Sequence, residues 1–279
     1  MEYIKPVQPQ LNFQENLRSY ASLFLRSLKA SFAYRASTVT SVIGTTFIYA
    51  IPLLVWRHVY AQNPGALSIP ANQMFPYLLL ACCVNYGLSM NIENRIGQRI
   101  RLGLIATDLL KPVDFQLSQA LQCVSDGIFN GALGTVVFVC GYLLLGPEVL
   151  PKGFLAFGLF LVSFLLAFLV MYCICFVFVQ GAFYTYSGYG IFASRAALHQ
   201  TFSGMSAPLT LYPPFLKTVG LWLPFRHAIY TPVSIYMGWV TGMEAVRLIL
   251  LQAAWVLGLF LLGRVLMSYA LRQLEVQGG

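Results

Sequence analysis

The stretch GFLAFGLFLVSFLLAFLVMYCICFVFVQGAFYTYSGYGIFAS, residues 153–194, contains no charged side chain. It is longer than one transmembrane helix requires, because a helix crosses the hydrocarbon core of a bilayer with about 20 residues. Glycine, tyrosine and serine cluster at residues 181–190, and such clusters interrupt helices. We therefore predict two membrane-spanning helices that meet at residues 181–190, the second continuing past Arg195 and His199 towards Pro208.

The composition of the whole chain is that of a membrane protein. Of the 279 residues, 58% are hydrophobic and only 9% are charged, whereas soluble domains carry about 25% charged residues. We predict an all-α integral membrane protein with six transmembrane helices in one domain, residues 38–268. The four remaining spans are predicted at Thr38–Trp56, Met74–Ile92, Gly127–Pro147 and around Leu248–Gly263.

The lysines and arginines favour one orientation. The formal net charge of +8 is better explained by topology than by nucleic-acid binding, because positive residues collect in cytoplasmic loops. No cleavable signal sequence precedes Thr38, so we expect the N-terminus inside. The inside segments then hold Lys5, Arg18, Arg26, Lys29, Arg35, Arg95, Arg99, Arg101, Lys111, Arg264 and Arg272, and the outside segments hold Arg57, Lys152, Lys217, Arg226 and Arg247. This bias predicts tails at residues 1–37 and 269–279 that are both cytoplasmic; a five-span alternative would place one end outside.

Residues 13–32 have the pattern of an amphipathic helix. Apolar residues share one predicted face and polar residues the opposite one: Phe13, Leu17, Tyr20, Phe24 and Leu28 against Glu15, Arg18, Ser22, Arg26 and Lys29. A basic amphipathic helix that precedes a span tends to lie in the membrane interface. The alternative is a cytoplasmic helix packed on the protein.

Two predicted connections are too long to be simple turns. The cytoplasmic segment 93–119 has helical spacing at Ile96, Ile100 and Leu104 and then a stop at Lys111-Pro112. The outer segment 206–242 is rich in proline, which excludes one continuous helix, and in tyrosine and tryptophan, which favour the water–lipid boundary. We predict that the second segment forms short helices that dip into the outer half of the membrane and return.

The sequence contains no motif of a catalytic site. HExxH, GxSxG and paired carboxylates in an apolar setting are all missing, and no P-loop is present, because Leu216 precedes Lys217-Thr218 where that motif needs glycine. We predict no catalytic residue, no metal site and no directly bound cofactor. If the chain moves a solute at the expense of ATP, another subunit must hydrolyse it.

Four polar residues are candidates to line a pathway: Arg195, His199, Tyr212 and Arg226. Arg195 and His199 are four residues apart and share a helix face, and a charge at membrane depth usually faces a cavity or a partner. Alternatively, Arg195 extends to the lipid phosphates and His199 forms a hydrogen bond between helices. Arg226 either meets a substrate at an outer mouth or anchors at head groups.

The cytoplasmic segment is the best candidate for a protein interface. Its charged residues alternate with leucine and isoleucine, which a merely solvated loop does not need and a helix seated in a partner's groove does. The predicted docking residues are Arg95, Arg99, Arg101, Leu104, Asp108 and Lys111.

Three stretches resemble the permease subunit of type-two ABC exporters, and in particular the viologen-type or uncharacterised branch with paired permeases. They are IRLGLIATDLLKPVDFQ (residues 100–116), FSGMSAPLTLYPPFL (202–216) and LPFRHAIYTPVSIYMG (223–238). The matching positions are Gly103, Leu110, Lys111, Pro112, Gly204, Pro208, Leu209, Pro213, Pro224, Phe225, Pro232 and Gly238. Each motif is weak alone, but their order and spacing follow the family over nearly the whole chain.

The resemblance implies a bacterial inner-membrane exporter subunit. The N-terminal amphipathic segment would be an interfacial elbow helix, residues around 95–111 would include a coupling helix, and residues 206–242 would be re-entrant outer helices. Two permeases, either identical or related, would assemble with two P-loop ATPases that bind ATP and Mg²⁺. The alternatives are a non-transporting scaffold subunit and, with less support, a membrane-embedded transferase. The apolar interior leaves the substrate open among hydrophobic cations, drugs, lipids and glycan-linked lipids.

Overall fold

A computed structural model describes residues 13–33, 35–62, 65, 68–111, 113–185 and 188–271, and this part of the chain is helical without a β-strand. Its α-helices are α1 Phe13–Ala33, α2 Arg35–Gln62, α3 Ala71–Leu88, α4 Ile92–Arg101, α5 Ile105–Leu109, α6 Phe115–Leu145, α7 Phe154–Val179, α8 Tyr189–Phe202, α9 Pro214–Trp222, α10 Tyr230–Tyr236 and α11 Gly242–Ala270. Single 3-10 turns lie at Gly146–Val149, Gln180–Phe183, Leu209–Leu211 and Pro224–His227. Of the tails predicted at residues 1–37 and 269–279, residues 1–12, 34 and 272–279 lie outside the described residues, as does Pro112.

Four described segments are long and apolar enough to cross a membrane. They are Ala71–Arg101, Phe115–Val149, Phe154–Phe183 and Gly242–Ala270, and each contains one of the predicted spans. The predicted break at residues 181–190 is confirmed, because α7 ends at Val179 and α8 begins at Tyr189.

The other two predicted spans are not among the segments that are long and apolar enough to cross a membrane. The helix α2 contains the predicted span Thr38–Trp56, but nearly all of its side chains before residue 50 lie outside the described set. The helix α8 has only 14 residues, which corresponds to about 21 Å along a helix axis. The count of six spans therefore stays a prediction.

The helices differ from the predicted segments at two places. The helix α6 begins at Phe115, twelve residues before the predicted span Gly127–Pro147, because the Asp114 carboxylate accepts a hydrogen bond from the Leu117 N–H at 2.8 Å and caps the helix. The spacing from Ile96 to Leu104 also predicts one helix where there are two. The chain turns after α4 through Gly103, whose φ of +68° favours glycine, and restarts as α5.

The helix α1 has the two faces that its sequence predicts. Where its side chains are described, Tyr20, Phe24 and Leu28 are partly buried, whereas Arg18 and Arg26 are exposed. The inner face lies along α6, where the Asp114 N–H donates to the Tyr20 hydroxyl at 3.0 Å and the Ser125 hydroxyl donates to the Phe24 carbonyl at 3.3 Å. Packing on the protein thus accounts for this face, and a position in the membrane interface stays a prediction.

Glycines allow α3 and α6 to pack at close range. Gly134 of α6 lies against the α3 backbone so closely that an added Cβ would be 2.9 Å from the Cys83 carbonyl oxygen. At Gly141, seven residues further along α6, an added Cβ would meet the side chain of Leu79 at 2.2 Å. Small residues at such positions are typical of helix contacts in membranes, where close van der Waals packing drives association.

Replacing Gly134 by alanine should weaken the α3–α6 contact. The new methyl group would meet a backbone oxygen that cannot rotate away, and overpacking of this kind costs about 1–3 kcal/mol. We expect a lower midpoint of thermal unfolding for the detergent-solubilised chain. Gly131→Ala on the same helix is the matched control, since its Cβ would lie 3.8 Å from the Gly87 Cα, an ordinary contact. Equal midpoints for the two variants would contradict the close contact.

Candidate functional site

The turn between α4 and α5, residues 101–104, projects from one end of the bundle. We call these residues the tip. Arg101 is exposed, and the apolar side chains of Leu102 and Leu104 are 65% and 42% exposed. Leu110, just after α5, is 76% exposed. The tip thus presents leucines beside a positive charge, which fits contact with another protein better than contact with water.

An ion-pair network within the chain holds the two short helices together. The Asp108 carboxylate on α5 binds the Arg99 guanidinium on α4 and accepts from the Lys111 ammonium at 2.7 Å. Asp108 is 9% exposed, so its charge is largely withdrawn from solvent. The network fixes the angle at which the tip projects, because it joins the end of α4 to α5.

The predicted docking residues therefore divide into two groups. Arg101, Leu104 and Lys111 are exposed at or beside the tip. Arg95, Arg99 and Asp108 are engaged within the chain, and Arg95 donates to Asp126 of α6 at 3.0 Å. Leu102 and Leu110 are more exposed than any apolar residue in the predicted set. The sequence already points to Leu102 and Leu110, because both alternate with charged residues of this segment.

Arg195 forms a two-point ion pair with Glu93 at the start of α4. Its Nε donates to Oε1 at 2.6 Å and its Nη2 donates to Oε2 at 2.9 Å, and both side chains are 13% exposed. Two parallel bonds fix geometry as well as charge. Because Glu93 is 102 residues away in the chain, no local pattern in the sequence pointed to it.

His199 links α8 to α3. Its Nε2 lies 3.0 Å from the Asn85 Oδ1, and its Nδ1 is buried without a hydrogen-bond partner. This contact is the hydrogen bond between helices that the sequence offers as the alternative to a pathway role. Further along, the Tyr77 hydroxyl donates to the Gly204 carbonyl at 2.6 Å. Together with Glu93–Arg195, these contacts place α8 antiparallel to α3.

The structure spreads the four pathway candidates along α8 and beyond it. Arg195 lies in the middle of α8 and His199 one turn later. The Tyr212 hydroxyl donates to the Thr201 carbonyl at 2.8 Å near the end of that helix. Arg226 is 8% exposed in the 3-10 turn Pro224–His227. These residues do not form one compact site.

Residues 203–241 form a segment that folds back into the bundle, and we call it the inserted segment. Its turn at Pro224–His227 is fastened by Gln252 of α11, whose Nε2 donates to the His227 carbonyl at 2.9 Å and to the Ser163 carbonyl at 3.1 Å. The Ser163 hydroxyl donates back to the Gln252 Oε1 at 2.8 Å. All three residues are fully buried.

The position of Gln252 gives the depth of this turn. Gln252 follows the first residue of α11, Gly242, by ten positions, and Ser163 follows the first residue of α7, Phe154, by nine. These separations correspond to about 14–15 Å along a helix axis, or roughly half of the hydrocarbon core of a bilayer. The turn thus lies deep within the bundle, and entry of these short helices into the outer half of the membrane stays a prediction.

An open apolar groove of about 620 Å³ runs between α3, α6 and α7. Phe160, Phe164 and Phe168 form one wall, and Gly127 and Gly131 leave room opposite them. Within the described part of the chain, no group of three His, Cys, Asp or Glu side chains is placed to hold a metal ion. The described geometry thus consists of an apolar bundle, a projecting tip and a buried polar turn.

The sequence matches a known protein family. The family described as "ABC-2 family transporter protein" matches residues 71–278, which is more than half of the 279-residue chain. The match begins at the first residue of α3 and covers the tip, α8 and the inserted segment. A search of the curated proteins finds no match.

Proposed function

The chain belongs to the ABC-2 transporter family, and from that premise we propose that it forms half of the translocation pathway of an ATP-driven exporter. The family makes it a multi-pass membrane protein and a permease component of an ABC transporter. We further propose that transport is outward and that the chain works with a separate P-loop ATPase, which binds ATP and Mg²⁺, and with a second permease chain, either identical or related. We also propose that it crosses a bacterial inner membrane six times, with both termini in the cytoplasm.

The exposed tip is the observation that carries this proposal. A loop in water gains nothing from Leu102 and Leu110 on its surface, whereas an apolar groove on a partner would bury them at about 25 cal/mol per Å². Arg101 and Lys111 beside them supply charges that can pair at the rim of such a groove. This combination favours docking of a short helical element on an ATPase subunit.

The contacts behind the tip supply a route from docking to the pathway. The helix α4 carries the tip at one end and Glu93 at the other, and Glu93 holds Arg195 of α8. A displacement of the tip would therefore move α8 as well as α4. The antiparallel contacts run from Asn85 to Tyr77 of α3, eight positions or roughly 12 Å along one helix. They continue beyond α3 to Glu93, which supports α8 and the residues after it as the fifth span.

A change at the tip should weaken association with the ATPase. We expect Leu102→Asp to lower the amount of P-loop ATPase that co-purifies with the tagged chain by at least about tenfold, because a buried charge without a partner costs several kcal/mol at an interface. Arg101→Glu should have a smaller effect of the same sign. Co-purified ATPase is quantified per permease, together with the ATPase activity of the complex.

Arg26→Glu provides the matched control. Arg26 is exposed on α1, away from the tip, so its charge reversal tests for a general electrostatic effect. Association and stimulated ATPase activity that survive Leu102→Asp would exclude the tip as the docking element.

Turnover of a lipid or glycan by the purified chain alone would favour the transferase, and transport that continues without the chain would favour a scaffold.

A further inference from the structure

One arginine of the described residues, Arg226, is buried but forms no ion pair. Half-buried and buried arginines otherwise have a carboxylate partner, as the pairs Arg95–Asp126, Arg99–Asp108 and Arg195–Glu93 show. The remaining described arginine side chains, apart from Arg226, are exposed to solvent. Arg226 is 8% exposed and forms no ion pair with any described carboxylate. It is thus the least exposed of the described arginines, and among the buried and half-buried ones it alone has no counter-charge.

The surroundings of Arg226 do not compensate its charge. Its Nε is buried and has no hydrogen-bond partner in the described structure. The neighbouring His227 is turned to Thr231, with 3.1 Å between Nδ1 and the hydroxyl oxygen. Phe225 on the other side packs into an apolar cluster with Val170, Ile174 and Phe202. An oxyanion would supply the acceptor that this guanidinium lacks.

The depth of Arg226 makes the missing partner costly. It adjoins His227, whose carbonyl binds Gln252 about halfway along the depth of the bundle. A charged side chain at the centre of a bilayer costs at least about 2.5–3.5 kcal/mol, and such residues usually face a partner or a pathway. Anchoring at head groups does not fit, because the side chain is only 8% exposed within the protein.

We propose that Arg226 is the recognition site for an oxyanion, a phosphate or a carboxylate, carried by an amphiphilic substrate. A guanidinium binds such groups through two parallel hydrogen bonds, and the apolar cluster around the neighbouring Phe225 suits the apolar part of an amphiphile. The assignment rests on the proposed function, because it takes the bound anion to be the transported molecule. An oxyanion site at Arg226 disfavours hydrophobic cations, which the composition of the chain allows as substrates, because the guanidinium would repel them.

The test is thermal unfolding of the purified full chain in dodecyl maltoside with three probes. Phosphatidylglycerol and phosphatidylcholine with identical acyl chains differ in net charge, and sodium phosphate supplies the oxyanion without a tail. We expect phosphatidylglycerol to raise the unfolding midpoint more than phosphatidylcholine does. A rise with sodium phosphate as well would show that the free anion suffices, and a rise with phosphatidylglycerol alone would show that the amphiphile is required.

Variants at Arg226 assign the response to this side chain. Arg226→Gln should unfold at the wild-type midpoint or above it without lipid, because it removes a buried unpaired charge. Its apparent affinity for phosphatidylglycerol should fall at least tenfold. Arg226→Lys keeps the charge but loses the planar fork, so we expect an intermediate response. Arg247→Gln, an exposed arginine on α11, controls for general attraction of anionic lipid and should respond as the wild type does.

Three results would overturn the site. They are equal responses of the wild type to the two lipids, an unchanged response in Arg226→Gln, and an Arg226→Gln chain that fails to fold, which would show that the fold itself satisfies Arg226. None of these results bears on ATPase co-purification. Conversely, a chain that binds no ATPase would end the exporter proposal and leave the lipid titration intact.

Discussion

Arg195→Met should destabilise the chain by about 3–5 kcal/mol, the cost of leaving one member of a buried ion pair without its partner. Glu93 would then keep a carboxylate that is 13% exposed and has lost both of its bonds to Arg195. The expected result is a large fall in the midpoint of thermal unfolding in detergent, and a low yield of membrane-inserted chain. Glu93→Gln should lower the midpoint by less, since its side-chain carbonyl oxygen can still accept from Arg195.

The double variant Glu93→Gln, Arg195→Met distinguishes a role of the ion pair in stability from a role in transmitting motion from α4 to α8. Removing both charges should recover most of the lost stability, as replacement of buried ion pairs by neutral side chains often does. We expect transport by the assembled exporter to stay low, because α4 and α8 are no longer joined by two fixed bonds. Normal transport by the double variant would show that the pair serves stability alone.

Arg264→Gln is the matched control for loss of an ion pair. Arg264 pairs with Asp114 at the end of the bundle that carries the tip, and their side chains are 41% and 27% exposed. Exposed pairs contribute about 0–1 kcal/mol, so this variant should unfold close to the wild-type midpoint. A fall as large as that of Arg195→Met would mean that burial does not distinguish the two pairs.

The sequence predicts the elements whose signal is local. The uncharged run at residues 153–194 and its glycine-rich break determine α7 and the start of α8, and the prolines of 206–242 exclude a continuous helix there. The amphipathic pattern of α1 is equally local, because its period is visible within a few turns. Composition alone is enough to indicate a membrane protein.

The sequence does not predict which polar residues contact one another, for a physical reason. Glu93 and Arg195, or Asn85 and His199, are brought together by packing of helices that are distant in the chain, and each residue alone has several plausible roles. The start of α6 at Phe115 is not evident from the sequence, because its first turns carry polar side chains such as Gln116 and Gln119. In the fold they are buried, and the Tyr172 hydroxyl donates to the Gln116 carbonyl at 2.5 Å.

Gln252→Leu should have the second large effect, because it would remove the hydrogen bond that fastens the turn Pro224–His227 to α11 and both bonds between α11 and Ser163 of α7. Leucine fills the space but provides no polar atoms. The Ser163 hydroxyl and the carbonyls of Ser163 and His227 would lose the partners that Gln252 gives them. An unsatisfied buried polar group costs about 1–3 kcal/mol, so we expect a loss of at least about 3 kcal/mol in the free energy of unfolding.

The position of this loss can be measured by hydrogen exchange. In Gln252→Leu, protection should fall in residues 224–236, which depend on the contact at His227, and should persist in α6, which does not touch Gln252. Ser163→Ala is the graded control, since it removes the one donor to the Gln252 Oε1 and leaves both carbonyl contacts in place. Its midpoint should fall between those of the wild type and Gln252→Leu. If exchange in 224–236 is unchanged in Gln252→Leu, packing alone holds the turn at mid-depth, and the polar contacts between the two helices are incidental to it.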